Sequence, residues 1–294
     1  MELATDTSRS SSSHSGLCNS SKPSVDFNYL REIVRSLSHN VLDPSRDYLF
    51  ETRLTRLLRN HELRNIGELV ERLRSRQDAS LARDVAEAMT INETSFFRDG
   101  RPFELLRTAL LPPLIERRQM ARRLRFWSAA CSTGQEAYSI AMLVRERFPQ
   151  LAAWDIRIEG TDFTAEVVTR ATAGSYQRIE INRGLPARNI VQFFDHVGEV
   201  WIAKPELRKM CNFRKANLCE LPLPFLEKFD VIFLRNVMLY FSLETRRKVL
   251  AEAHRLLAPD GVIFLGSSEQ PPDMSLWNPV IAGGTCHFTP KPRV

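Results

Sequence analysis

Hydrophobic residues recur at helical spacing through the first third of the chain. Apolar positions three or four residues apart begin with Phe27, Leu30 and Val34 and continue to about residue 89. This is the spacing of one face of an amphipathic helix. The pattern predicts several short helices, and we assign residues 25–90 to a small all-helical domain whose polar faces are dominated by arginine.

The pattern changes at Leu124, where short apolar runs begin to alternate with amphipathic stretches. The runs predicted as strands are "LRFWSA", "IRIEGTDF", "FDVIFLRN", "GVIFLGSS" and "GTCHFTP". Strands that alternate with helices are typical of a parallel sheet covered by helices on both faces. We assign residues 124–294 to this α/β domain. Residues 91–123 form a linker and a connecting helix that Pro112-Pro113 interrupts.

One segment does not follow this alternation. Between about residues 179 and 216 no helix–strand pair is evident, and "EVWIAKPELRKMCNFRK" has the pattern of two short strands joined by a Pro-containing turn. We interpret residues 179–216 as a small antiparallel β-subdomain inserted into the α/β domain.

The N-terminal residues and the composition exclude several classes of protein. Residues 1–24 are polar and Ser-rich and lack the apolar stretch of a secretory signal, so we predict a disordered tail. No apolar run approaches the ~18 residues that span a bilayer. The five cysteines contain no C-x-x-C pair, and the six histidines show no H-E-x-x-H spacing. We therefore expect a cytoplasmic protein with reduced thiols and no metal site.

The net charge of +6 permits an acidic partner, such as nucleic acid or a glutamate-rich protein. A solvated basic surface is the simpler interpretation of the same charge.

The stretch "FWSAACSTGQEAYSIAM" has the strand–turn–helix layout in which α/β proteins hold nucleotide-like ligands. Its turn contains a single glycine, Gly134, whereas a phosphate-binding loop usually contains several. Glu136 follows at the start of the helix, where a carboxylate would repel a pyrophosphate and attract a cation. The alternative is an acid that only complements the helix dipole. The loop therefore favours a positively charged ligand.

Polar residues also follow three later strands. Asp162 is placed to accept hydrogen bonds from ribose hydroxyls, Asn217 and Leu218 are suited to the edge and face of a base, and Asn236 ends a buried strand. Asp162 as a helix N-cap and Asn217 as a turn residue are the alternatives. A ribose, a base, a positive charge and no phosphate together describe S-adenosylmethionine, which we predict as the cofactor.

Several motifs together resemble those of the bacterial chemotaxis receptor methyltransferases, the CheR family. They are "INETSFFRD", "WSAACSTGQEAYSIAM", "GTDF", "ANLCE" and "FDVIFLRNVMLYF". The resemblance runs in order from about Asp26 to the C-terminus, and "N-x-T-x-FFR" and "RNVM-x-YF" are specific to the family. It implies a small N-terminal helical domain followed by a Rossmann-like S-adenosylmethionine-dependent methyltransferase domain with a three-stranded β-subdomain.

The resemblance also implies a reaction and a partner. The family transfers a methyl group from S-adenosylmethionine to glutamate side chains on the cytoplasmic helices of chemoreceptors, for chemotactic adaptation. We accordingly expect a protein-glutamate O-methyltransferase that forms glutamate methyl esters and S-adenosylhomocysteine. We expect no nucleic-acid partner and no membrane insertion, and we favour a monomer.

The matching motifs carry the family's site residues onto this sequence. The cofactor residues so implied are Asn92, Thr94, Arg98, Glu136, Asp162, Asn217, Leu218, Arg235 and Asn236. The resemblance further implies that Arg98 and Tyr240 assist catalysis. The alternatives are a salt bridge of Arg98 with Asp99 or Glu93, and a purely structural role for Tyr240 in the core.

The sequence departs from the family pattern in two places of the first loop. Gln135 stands where the family commonly has a glutamate, and Ala130 stands where it often has a glycine. The segment "FFDHVGEVWIA" is also short, with Gly198 as its only glycine. Family members that bind a receptor's C-terminal tether peptide carry a longer Gly-containing loop here, so we expect a tether-independent enzyme.

Two other functions remain open at this level. One is methylation of nucleic acid or a small molecule with the same cofactor, although no interleaving of aromatic and basic residues marks a base-reading surface. The other is a sensor of S-adenosylmethionine without catalysis, which would not need Arg98 and Tyr240. A further hypothesis is that Arg53, Arg56 and Arg59 steer docking onto acidic receptor helices.

Overall fold

The computed structural model describes residues 26–292, so the Ser-rich tail predicted to be disordered lies outside the described residues. The first part of the chain is helical, as the apolar spacing predicted. Its helices are α1 (Phe27–Ser38), α2 (Tyr48–Arg53), α3 (Thr55–Asn60), α4 (Ile66–Arg76) and α5 (Ala79–Ala88).

Local sequence sets the ends of these helices, and burial holds them together. The side chains of Asp26, Asn65 and Asp78 accept hydrogen bonds from backbone N–H groups in the first turns of α1, α4 and α5. Apolar residues from all five helices then form one buried cluster, including Leu30, Phe50, Leu57, Leu69 and Leu81.

The linker helix continues through the two prolines that were expected to interrupt it. It consists of α6 (Arg101–Leu105), a π-helical segment (Leu106–Leu110) and α7 (Leu111–Arg118), with Pro112 and Pro113 in the first turn of α7. A proline ring clashes with the carbonyl four residues earlier in an α-helix. The wider π-helical turn just before the prolines changes that spacing. The hydrogen-bond pattern therefore changes locally and the helix does not end.

The α/β domain contains a mixed sheet with the strand order β6-β2-β1-β7-β8-β10-β9. Its strands are β1 (Arg123–Ala129), β2 (Asp155–Asp162), β6 (Cys211–Lys215), β7 (Phe229–Leu234), β8 (Leu257–Leu265), β9 (Trp277–Ala282) and β10 (Thr285–Pro290). The connecting helices include α8 (Gln135–Arg147), α9 (Ala165–Ala173) and α13 (Leu243–Leu256). The predicted parallel arrangement holds for five strands, whereas β10 and β9 are antiparallel.

A separate antiparallel sheet forms the β-subdomain, with the strand order β3-β5-β4. Its strands are β3 (Ser175–Gln177), β4 (Phe194–Val197) and β5 (Val200–Ala203), with short helices α10 (Arg178–Asn182) and α11 (Ala187–Phe193) between β3 and β4. Helix α12 (Pro205–Arg208) follows β5. The subdomain therefore begins before residue 179.

The prediction was wrong for the segment "CNFRK", which was assigned to the β-subdomain. As β6 it pairs in parallel with β2 at the edge of the main sheet. Gly160 in β2 explains part of this choice, because a Cβ there would lie 2.4 Å from Cδ1 of Phe213. The aromatic ring fills the space that a side chain at residue 160 would otherwise occupy.

The helical domain docks against the carboxyl-terminal side of the sheet through hydrogen bonds. The backbone N–H of Val41 donates to the carbonyl of Tyr240 at 2.8 Å, and the Asn217 amide donates to the carbonyl of Leu37 at 2.9 Å. Glu87 accepts from the N–H of Ala165 at 3.0 Å. These contacts place the end of α1 and the end of α5 beside the strand ends.

Among the helices described above, none is both long and apolar enough to cross a membrane.

Candidate active site

A cavity partly open to solvent, with about 880 Å³ of empty space including its open mouth, lies between the carboxyl ends of the parallel strands and the helical domain. Its wall includes all the residues predicted from the motifs: Asn92, Thr94, Arg98, Glu136, Asp162, Asn217, Leu218, Arg235, Asn236 and Tyr240. The fold thus brings these residues together, while their individual roles stay predictions.

The charge of the wall fits S-adenosylmethionine, whose sulfonium and ammonium groups outweigh its carboxylate. Three acids, Glu93, Glu136 and Asp162, face two arginines, Arg98 and Arg235, which gives the wall a formal charge of −1. Amide and hydroxyl groups supply further donors and acceptors. Residues 26–292 contain no cluster of three or more histidine, cysteine or acidic side chains able to hold a metal.

Arg235, just after β7, forms a buried ionic network with two acids. Its Nη1 lies 3.0 Å from Oε2 of Glu136, its Nη2 lies 2.5 Å from Oδ2 of Asp99, and only 2% of its side chain is exposed. The second oxygen of Glu136 accepts a hydrogen bond from Ser128 Oγ at 2.7 Å. Glu136 is therefore paired with Arg235 and is not a free carboxylate, although the network of one guanidinium and two carboxylates keeps a net negative charge.

The turn that carries Arg98 is bent into the left-handed region and anchored on both sides. Phe97 and Asp99 have φ angles of 49° and 65°. Phe96 is buried and packs edge-on against Tyr176 and Phe194 of the β-subdomain, with ring centroids 5.0 and 5.6 Å apart. These contacts hold the turn in a conformation that non-glycine residues rarely adopt.

The guanidinium of Arg98 donates to the backbone carbonyl of Glu93 at 2.8 Å. The carboxylate of Asp99 pairs with Arg235 and that of Glu93 with Arg183. The salt-bridge alternative for Arg98 is thus not what the structure contains, and Arg98 is one of the residues that line the cavity.

Asp162 shapes the first loop as well as lining the cavity. Its Oδ2 accepts from the N–H of Ser132 at 2.8 Å and its Oδ1 from the N–H of Thr164 at 3.0 Å. Burial raises the pKa of this carboxyl, and the N–H donors of Thr164 and Ser132 oppose that rise. Thr164, not Asp162, is the N-cap of α9.

The first loop is strained at two non-glycine positions. Ala130 and Ser132 have φ angles of 56° and 50°. The Ser132 hydroxyl donates to the carbonyl of Asn92 at 2.7 Å, which ties the loop to the linker. Glycine is the residue that adopts such a φ without strain, so the alanine at residue 130 is held there by its surroundings.

The two residues predicted to contact a base differ in placement. Leu218 is buried in the wall, as an apolar contact requires. The side-chain amide of Asn217 donates to Leu37, and its oxygen accepts from the N–H of Cys219 at 3.1 Å. Asn217 therefore acts in a turn and in docking of the helical domain, and its contact with a base stays a prediction.

Sequence reasoning missed the part of the wall that comes from the helical domain, namely Ser38, Asn40 and Thr90. Nothing in their spacing indicates a ligand, because they reach the cavity only after the two domains dock. Phe163 was also missed, although its position directly after Asp162 was a usable signal.

The fold and the site define a Rossmann-like S-adenosylmethionine-dependent methyltransferase, and comparisons with known proteins identify its family. The family model "CheR methyltransferase, all-alpha domain" matches residues 25–90. The model "CheR methyltransferase, SAM binding domain" matches residues 92–284. The chain therefore belongs to the CheR methyltransferase family.

Individual relatives match over most of their length. The chain is 39% identical to Chemotaxis protein methyltransferase 1 of Pseudomonas aeruginosa, over 85% of this chain and 91% of that protein. It is 37% identical to Chemotaxis protein methyltransferase Cher2 of Pseudomonas putida, over 83% and 90%. It is 36% identical to the Chemotaxis protein methyltransferase of Vibrio parahaemolyticus, over 78% and 83%.

Replacing Ala130 by glycine should stabilise the protein. Relief of the left-handed backbone, which costs about 1–2 kcal/mol, exceeds the added chain entropy of glycine, about 0.5–1 kcal/mol. Urea unfolding should show a free energy of unfolding higher by about 0.5 kcal/mol. The control Ala129→Gly, one residue earlier in β1, should lower it by about 1 kcal/mol. Equal losses in both variants would show that Ala130 is not strained.

Proposed function

We propose that this protein methylates glutamate side chains on the cytoplasmic helices of chemoreceptors. The observation that carries the proposal is that Arg98 and Tyr240 share one cavity wall with the residues suited to the cofactor. The names of the similar chemotaxis methyltransferases support a chemoreceptor as the substrate. S-adenosylmethionine supplies an electrophilic methyl carbon: a carboxylate oxygen bonds to it as the S–C bond breaks toward sulfur, giving a methyl ester and S-adenosylhomocysteine.

Different parts of the wall would hold different parts of the cofactor. Glu136 and Asp162 would hold the methionine and ribose ends, and Asn217 with Leu218 the adenine end. Arg235 and Asn236 would close the site beneath the sulfonium. In addition, Asn92 and Thr94 would contribute from the domain junction.

The reaction needs positioning more than it needs a base. A glutamate carboxylate has an ordinary pKa of ~4.3 and is ionised at neutral pH. Arg98 would orient this carboxylate through paired N–H donors. Tyr240 is half-buried in the wall, and its hydroxyl forms no hydrogen bond within the described part of the chain. It is thus available to bond the second carboxylate oxygen.

The decisive experiment combines the protein with methyl-labelled S-adenosylmethionine and chemoreceptor-rich membranes, followed by mild alkali. Label released as volatile methanol identifies a carboxyl methyl ester and supports the proposal. Alkali-stable label would instead indicate methylation of an amine or a nucleic acid. Absence of label, with tight cofactor binding, would favour a sensor.

Tyr240→Phe should lower turnover while leaving cofactor binding intact. Loss of one hydrogen bond to a charged group costs about 1.5 kcal/mol, or about tenfold in kcat. Calorimetry with S-adenosylhomocysteine should give a Kd within about threefold of the wild type, because the hydroxyl bonds the substrate. The control Tyr48→Phe, on the exposed surface of α2, should change neither quantity. Unchanged kcat in Tyr240→Phe would exclude this role.

The basic face of the helical domain is smaller than its sequence suggested. Arg53 donates to the carbonyls of Met89 and Thr90 at 3.0 and 3.2 Å. Arg56 pairs with Glu166 at 2.9 Å. Arg59 is exposed and forms no ion pair with any residue from 26 to 292. We therefore propose Arg59 as the residue that steers acidic receptor helices.

Arg59→Glu should raise the KM for the receptor by about fivefold at low salt, the effect of reversing about 1 kcal/mol of surface electrostatics. Steady-state kinetics would measure it, and S-adenosylhomocysteine affinity should not change. The matched control is Arg122→Glu, at an exposed position just before β1, at the end of that strand away from the cavity. A KM equal to that of the control would exclude a steering role.

The hairpin of the β-subdomain supports independence from a tether peptide. Val197 pairs with Val200, so only Gly198 and Glu199 form the turn between β4 and β5. We propose that the enzyme needs no receptor tether. Initial rates on one receptor with and without its C-terminal residues should agree within about twofold, since no affinity depends on the tether. We further propose that the protein acts in the cytoplasm, as a monomer.

A further inference from the structure

A buried carboxylate lies directly behind the loop that follows β7. Glu269 is 7% exposed. Its Oε2 accepts from the N–H groups of Asn236 and Gly266, both at 2.7 Å. Its Oε1 accepts from the N–H groups of Met238 and Leu239 at 2.8 and 3.3 Å. No arginine, lysine or histidine of the described chain forms an ion pair with it.

The four N–H donors take the place of a counter-charge. A carboxylate is buried at high cost unless its lone pairs are satisfied, and backbone N–H groups donate especially strongly to an anion. Three of the donors belong to the loop from Asn236 to Leu239. Asn236 has a left-handed φ of 59°, and a single 3-10 helical turn (Met238–Tyr240) follows. The carboxylate therefore determines which way the loop's N–H groups point.

Gly266 provides independent evidence that Glu269 and the loop after β7 must approach each other closely. A Cβ at residue 266 would lie 2.6 Å from Oε2 of Glu269 and 3.0 Å from the backbone nitrogen of Asn236. The first distance is shorter than Cβ contacts in proteins and the second is tight; Oε2 is held by its N–H donors and the nitrogen is backbone, so neither atom can move away freely. The residue directly after β8 must therefore lack a side chain for the carboxylate to reach the loop.

The same loop carries Asn236 and leads into Tyr240, which both line the cavity, whereas Glu269 does not. We propose that Glu269 is a positioning residue for methyl transfer, holding the loop after β7 so that Asn236 and Tyr240 face the cavity. Gly266 makes room for it. This inference rests on the function proposed for the cavity.

Two variants and two matched controls test the inference. Glu269→Gln replaces two acceptor sites by an NH₂ group that opposes the loop's N–H donors, and Gly266→Ala introduces the clash without changing charge. Asp230→Asn removes another buried carboxylate, at the opposite end of β7, which accepts from the N–H of Arg125 at 2.9 Å. Gly261→Ala introduces a similar clash within β8, 2.9 Å from the carbonyl of Asp230.

Binding of S-adenosylhomocysteine by calorimetry, receptor turnover and thermal unfolding would be measured for all four. Glu269→Gln and Gly266→Ala should each raise the Kd for S-adenosylhomocysteine by about fivefold and lower kcat by about tenfold, because the loop that forms part of the cavity wall is misplaced. The two controls should stay within about twofold in both quantities, even where their thermal stability falls.

The inference would be overturned if Glu269→Gln and Gly266→Ala bound and turned over like the controls, or if the controls lost as much. Should Glu269→Gln fail to fold, Gly266→Ala decides alone by the same criteria. If the wild type methylates no receptor, the proposed substrate is wrong. The binding measurements need no receptor and still decide the role of Glu269.

Discussion

The site depends on the two ion pairs that the buried guanidinium of Arg235 forms. It joins the end of β7 to Glu136 at the start of α8 and to Asp99 in the linker turn. A charge with 2% exposure is tolerable only when it is paired on both sides. Because the Arg235 guanidinium also donates to the carbonyl of Arg98 at 3.2 Å, the same ionic network holds the backbone of Arg98, the residue that we propose orients a substrate carboxylate.

Backbone strain is concentrated around this network. Ala130, Ser132 and Asn236 on the cavity wall, and Phe97 and Asp99 in the turn beside it, all have positive φ. Such conformations persist when surrounding contacts determine them. Asp162 holds Ser132, Glu269 holds Asn236 and Arg235 holds Asp99. Three of the five strained positions are thus held by a charged side chain, so this part of the wall has a shape before any ligand arrives.

The helical domain completes the cavity, so a ligand bound there would also stabilise the docking of the two domains. Its wall residues meet those of the α/β domain only in the docked arrangement, held by contacts such as Val41 to Tyr240 and Glu87 to Ala165. A ligand that contacts both walls stabilises docking by mass action. Tyr240 takes part in both, since its carbonyl receives the docking bond and its ring lines the cavity. Domain docking and the cavity wall therefore share one loop.

The sequence by itself determined the helices and most strands, because these depend on local periodicity, and it placed polar residues at one edge of the sheet, because parallel strands end there. Asp162 and Asn236 could be found in this way. Arg98, Arg235 and Tyr240 came from the resemblance of their motifs to those of the family. Only tertiary structure decided that Glu136 pairs with Arg235, that "CNFRK" joins the main sheet and that Ser38 completes the wall. The physical reason is distance: ion pairing, strand register and domain docking depend on contacts between residues far apart in sequence, which spacing along the chain does not encode.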